Sequence, residues 1–117
     1  MKNSKIKAYL GFCVRARKIV FGVDDVEKQR RGVFLLIADE ALGNSSLKTV
    51  IKMKEQLGCP LLVAKQGVLG ELLTRPAVKA VAIKDENLAS AVLSAAESES
   101  QFKLYSGGNN GTYGKEV

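Results

Sequence analysis

A chain of 117 residues suffices for one domain with one core, and 46% hydrophobic with 26% charged content excludes an intrinsically disordered protein. No run approaches the roughly 20 apolar residues of a membrane span, and the lack of any histidine removes the commonest general base and metal ligand. The net charge of +6 is carried by residues 1–31, with nine basic and three acidic side chains, which points to a polyanionic partner, nucleic acid first, with a solvated basic surface that has no partner as the alternative.

Residues 1–14 interleave Lys5, Lys7, Tyr9 and Gly11 with apolar positions, so no secretory leader is read there and a cytoplasmic protein is expected. Ile6, Leu10, Cys13 and Val14 recur at helical spacing and predict a first helix over 4–17, capped by Ser4. Gly11 inside it costs about 1 kcal/mol relative to Ala and is expected to permit close packing. Lys18-Ile19-Val20-Phe21 reads as a short strand ended by Gly22. A second helix is expected over 24–31. Its acidic residues Asp24, Asp25 and Glu27 fall in the first turn and its basic Lys28, Arg30 and Arg31 in the last, as the helix dipole favours. Gly32 is its expected C-terminal stop.

The run Val33-Phe34-Leu35-Leu36-Ile37-Ala38 has no alternation of polarity. It reads as a strand covered on both faces, which requires helices above and below. Asn44 or Ser45 is expected to cap a third helix that runs to Leu57, closed by Gly58. Cys59-Pro60 restarts the chain as extended, and Leu61-Leu62-Val63-Ala64 is the next strand. A short helix follows over 68–73, broken by Thr74-Arg75-Pro76. A strand over 78–83 and a last helix capped by Asp85 complete the pattern, with Leu88, Ala91, Val92, Ala95 and Ala96 as the inner stripe. The alternation predicts an α/β fold, a three-layer α/β/α sandwich with a small mixed four-stranded sheet over residues 1–97. Residues 98–117, with the glycine-rich stretch after Ser106, are expected to be a flexible tail.

Catalytic signatures are missing: there is no Gly-x-Ser-x-Gly, phosphate loop or dinucleotide fingerprint. A non-enzymatic protein without cofactor is expected. Cys13 and Cys59 sit in apolar contexts and read as reduced, buried thiols rather than a zinc motif. Asp39-Glu40, at the end of the central strand, has the chemistry for weak Mg²⁺ binding, but an ordinary acidic loop is the favoured reading. Free backbone N–H groups of Phe21-Gly22-Val23 and of the helix start at Asp24 favour phosphate, with Arg15, Arg17, Lys18 and Lys28 near in sequence. The dipole explains the same charges without a ligand. Aromatics are few and no pair is spaced for base stacking, so backbone and groove contacts to structured RNA are expected over single-strand stacking.

Gly22-Val23-Asp24-Asp25-Val26-Glu27-Lys28 resembles the Gly-Thr-Asn-Glu-x-x-Lys signature of the ribosomal protein L-seven-Ae family, whose relatives include L-thirty-e and small bacterial ribosomal-protein-like members. Leu35 to Glu40 resembles the family's strand ending in an acidic loop, Cys59 to Val63 its proline-started strand, Leu69-Gly70-Glu71 its Leu-Gly helix start, and Ala80 to Ile83 its closing strand. The resemblance covers about residues 4–96. It implies an α/β/α sandwich that binds kink-turn RNA, with a ribosomal or other ribonucleoprotein setting and neither membrane nor DNA as partner. It implies RNA contacts from Gly22, Val23, Asp24, Asp25 and Lys28, and from the loop Thr74-Arg75-Pro76-Ala77, which covers an extruded nucleotide in the family. Asp24 stands where the signature has Asn and, ionised, only accepts hydrogen bonds; Val23 lacks the usual hydroxyl. The alternative is therefore a ribosome-associated or protein-interaction adaptor that keeps the fold without kink-turn recognition.

Overall fold

The structure, a computed structural model, describes residues 4–106. Helix α1 (Lys5–Ala16) starts where Ser4 accepts a hydrogen bond from the Lys7 N–H, and ends where Arg17 turns left-handed at φ 58°. Strand β1 (Ile19–Phe21) leads to Gly22, whose φ of 90° and ψ of 150° suit glycine alone. Helix α2 (Val23–Glu27), strand β2 (Leu35–Asp39), helix α3 (Asn44–Leu57) and strand β3 (Leu61–Ala64) follow. The N-cap of α3 is Gly43 rather than the expected Asn44 or Ser45. Helix α4 (Val68–Leu73), strand β4 (Ala80–Ile83), helix α5 (Glu86–Ala96) and strand β5 (Phe102–Leu104) complete the described chain.

The strands form one mixed sheet in the order β1-β4-β2-β3-β5. Only β2 and β3 run parallel. As its unbroken apolar run requires, β2 lies in the middle, and all five of its residues are buried. Ile37 pairs with Leu62 on one side and Val81 on the other. The period of two in a strand then separates two apolar clusters. Leu35, Ile37, Leu62 and Val81 face Ile6 and Leu10 of α1, Leu69 of α4 and Val92 of α5. Leu36, Ala38, Leu61 and Ala82 face Val26 of α2 and Val50 and Met53 of α3. Cys13 belongs to the first cluster and Cys59 to the second, so the buried thiols lie on opposite faces of the sheet and are free.

Among the described residues the sheet has five strands where four are expected, and the extra one lies within the segment expected to be a tail. Phe102 is buried opposite Ala64, and β5 pairs antiparallel with β3. A single large apolar residue anchors this edge strand, which is too little for a periodic signal. The remaining part of the expected tail, 107–117, lies outside the described residues. Phe34 also departs from expectation: it precedes β2 and is exposed.

Helix α2 is shorter than its charge pattern suggests. It stops at Glu27 rather than Arg31, and no basic residue lies in its last turn. The cause is packing: Val23 and Val26 give it one apolar turn, but Gln29 and Arg30 occupy the positions that would extend that face. Arg30 instead folds back, with its Nη1 donating to the carbonyls of Glu27, Lys28 and Gln29 at 3.4 Å each. Gly11 does not mediate close packing either. A Cβ built there meets only Arg15 Nη1, at 3.7 Å.

Candidate nucleic-acid interface

Three strand ends meet at one edge of the molecule. The Gly22 N–H, just past β1, donates to the Ala80 carbonyl at 2.7 Å, and the Asp39 N–H at the end of β2 donates to the Lys79 carbonyl at 2.8 Å. These bonds carry the β1–α2 turn and the α4–β4 loop to the same end of the sheet, although they are far apart in sequence. Phe21 and Arg75 complete the junction: the Arg75 guanidinium lies over the Phe21 ring, 4.3 Å from its centroid.

The loop owes its position to Gly70. An added Cβ at Gly70 would come within 3.0 Å of both the Arg75 carbonyl oxygen and Pro76 Cα. The Arg75 N–H also donates to the Gly70 carbonyl at 2.9 Å. Thr74, at φ 53°, turns the chain out of α4. Arg75, Pro76 and Ala77 are consequently all exposed beside the half-buried Gly22 and Val23 and the exposed Asp24 and Asp25. Lys79, exposed in the same loop, and Phe21 belong to this surface, yet the family pattern does not mark them. The β1–β4 register, which sets Phe21 opposite Val81, brings them together.

The other expected residues divide. Lys28 lies one helical turn beyond Asp24 and Asp25, with its Nζ 3.9 Å from Asp25 Oδ1; both side chains are well exposed, so the pair is weak. Lys18 is not part of this edge. It precedes β1, and its carbonyl accepts from the Lys84 N–H at 2.7 Å at the opposite end of the sheet. The strand length puts it about 13 Å from Gly22. Arg15 lies on α1, beside Thr74 in a groove between α1 and α4. Proximity in sequence placed both basic residues with Gly22; a strand of alternate direction intervenes. With only five residues, α2 sums few peptide dipoles, so anion attraction at this edge falls to basic side chains.

Asp39 and Glu40 are structural. Buried Asp39 accepts from the Ala41 N–H through Oδ1 at 2.7 Å and from the Gly67 N–H through Oδ2 at 2.8 Å. Glu40 accepts from the Gln66 N–H at 3.0 Å. The carboxylates tie the loops after β2 and β3 together. Among the described residues no group of three or more His, Cys, Asp or Glu side chains is arranged to hold a metal ion. No helix among them is long and apolar enough to cross a membrane.

No family model matches the chain, and no curated protein matches it. The fold is similar to the solved structure of a protein with unknown function from Bacillus halodurans C, with a TM-score of 0.71 and 20% sequence identity over 81% of this chain and 99% of that one. That likeness shows a shared α/β fold.

Proposed function

We propose that this protein is a non-enzymatic, cytoplasmic RNA-binding protein of the L-seven-Ae kind, acting within a ribosome or another ribonucleoprotein. Its layers are those of a three-layer α/β/α sandwich, with β5 added to a four-stranded core. The ligand is a structured RNA of the kink-turn type. The β1–α2 turn reads the bent helix and the loop Arg75-Pro76-Ala77 covers a nucleotide turned out of it.

One observation supports this reading above the others: the two segments that resemble the family's RNA-contacting parts are adjacent, joined by the Gly22–Ala80 hydrogen bond and the Arg75–Phe21 contact. The exposed cations Arg75 and Lys79 suit phosphate at this edge. Mobility shift with a kink-turn RNA beside a duplex of equal length tests the reading. Preferential binding to the kink-turn, lost on Arg75→Ala, is expected.

A second reading is favoured by a specific feature. Asp24, Asp25 and Glu27 put three exposed carboxylates on α2, where RNA phosphates would approach. They suit a protein-interaction adaptor on the same fold. Equal, weak binding to both RNAs would give this reading the lead.

A further inference from the structure

Five basic side chains lie along or just after α1 rather than on α2, and their acidic neighbours are Glu99, which accepts from the Ser4 hydroxyl at 2.8 Å, and Asp85 beside Cys13. Lys5, Lys7 and Arg15 lie within α1, Arg17 and Lys18 follow it, and α1 contains no carboxylate. Between α1 and α4 runs an open groove of about 720 Å³ that has Lys7, Gly11, Phe12, Arg15, Leu72 and Thr74 along its walls, and no acidic residue lines it. Phe12 is 45% exposed, although it sits on a helix that buries Ile6, Leu10 and Cys13. The Arg15 guanidinium lies over its ring, 5.0 Å from the centroid. Among the described residues neither Lys7 nor Arg15 forms an ion pair.

Gly11 adds a further reason to regard the groove as built. Glycine in a helix interior is disfavoured relative to alanine. No packing contact here requires it, since a Cβ would touch only the end of Arg15. Gly11 lines the groove beside Phe12 with bare backbone.

We infer that this groove is a stacking platform for an unpaired nucleotide of the RNA, with a base on the Phe12–Arg15 pair and phosphates on Lys7 and Arg15. An aromatic ring and a guanidinium are both surfaces on which bases stack, and a cation-lined groove without carboxylates selects an anionic strand. The groove meets the proposed RNA edge at one point, the start of the α4–β4 loop. Thr74 lines it, and the next residue, Arg75, sits on Phe21. A strand leaving the α4–β4 loop enters the groove directly. This inference rests on the RNA reading for its partner but concerns a different set of residues.

The test uses the full chain and a kink-turn RNA, blunt or carrying a short oligoadenylate extension with one 2-aminopurine. The extended RNA is expected to bind about tenfold more tightly, equivalent to about 1.4 kcal/mol, within the range for one stacked base. Its 2-aminopurine is expected to be quenched. Phe12→Ala is expected to abolish the gain and the quenching while blunt-RNA affinity stays unchanged and the protein remains folded with a melting temperature lowered by a few degrees at most; Phe12→Tyr is expected to retain the gain and the quenching. A gain that survives Phe12→Ala, or equal losses on both RNAs, would overturn the platform and leave the kink-turn reading standing. Phe12-dependent quenching of a free oligoadenylate by a protein that ignores the kink-turn would support the platform and overturn that reading. Phe12-dependent self-association without RNA would overturn the platform, because a second copy would then cover the groove.

Discussion

Arg75 stacks on Phe21 with 4.3 Å between guanidinium carbon and ring centroid, and this contact joins a loop to a strand that chain order keeps apart. A cation–π contact at an exposed site contributes about 0.5–1 kcal/mol. A double-mutant cycle in urea, with Phe21→Leu, Arg75→Ala and the pair, is expected to return a coupling of that size. Strict additivity would mean that the contact does not hold the loop.

Gly70→Ala presses a methyl group against the backbone of Arg75 and Pro76, both 3.0 Å from the added carbon. Backbone cannot rotate away as a flexible side chain does. A loss of about 1–3 kcal/mol is expected, reduced by the better helix propensity of alanine. The loop should shift, so affinity for a kink-turn RNA should fall further than for a plain duplex. Chemical denaturation and titration calorimetry on the same variant check both parts.

Asp39→Ala removes a buried carboxylate and leaves the part-buried N–H groups of Ala41 and Gly67 without their charged acceptor. The expected cost is about 1–3 kcal/mol. Asp39→Asn should also destabilise, since an amide offers one acceptor oxygen and sets its NH₂ against a backbone donor. Adding Mg²⁺ should not raise the melting temperature of the wild-type protein, because both carboxylate oxygens are already engaged.

Much of the fold is legible in the sequence. Apolar runs without alternation mark β2 and β3 as buried strands, and Ser4 and Asp85 cap α1 and α5 as their sequence positions suggest. What fails is local charge used as a ruler. Lys28, Arg30 and Arg31 have the order of a helix end, but α2 has only enough apolar surface to bury one turn. β5 escapes notice because its anchoring residue, Phe102, acts through a partner strand far away in sequence. Of the candidate site, the two backbone segments are legible and their meeting is not. Phe21 is named in the sequence only for its backbone; its ring under Arg75, the place of Lys79 and the support that Gly70 gives the loop become visible only in the fold.

Burial pushes the Cys13 thiol up to about 11 from an ordinary value of 9.0, with the nearby Asp85 carboxylate adding to the effect. Burial likewise raises the Cys59 thiol. The unfolded chain therefore loses the Cys13 proton first as pH rises. Stability from this group is complete below pH 9 and declines up to about pH 11. Melting curves across that window should show a shallower alkaline loss for Cys13→Ala than for the wild type. Neither thiol should react with an aromatic disulfide reagent at neutral pH until denaturant is added.

The most direct measurement is titration calorimetry of the wild type, Asp24→Asn and Lys28→Ala with a kink-turn RNA and an equal-length duplex at two salt concentrations. The wild type is expected to prefer the kink-turn. Asp24→Asn should strengthen that binding, most at low salt, by removing a charge that phosphates repel within about 8 Å. Lys28→Ala should weaken it and flatten its salt dependence. Equal, weak binding of all three proteins to both RNAs would contradict kink-turn recognition at this edge of the sheet. A several-fold loss on Asp24→Asn would contradict the electrostatic ranking and make that carboxylate a reader of guanine.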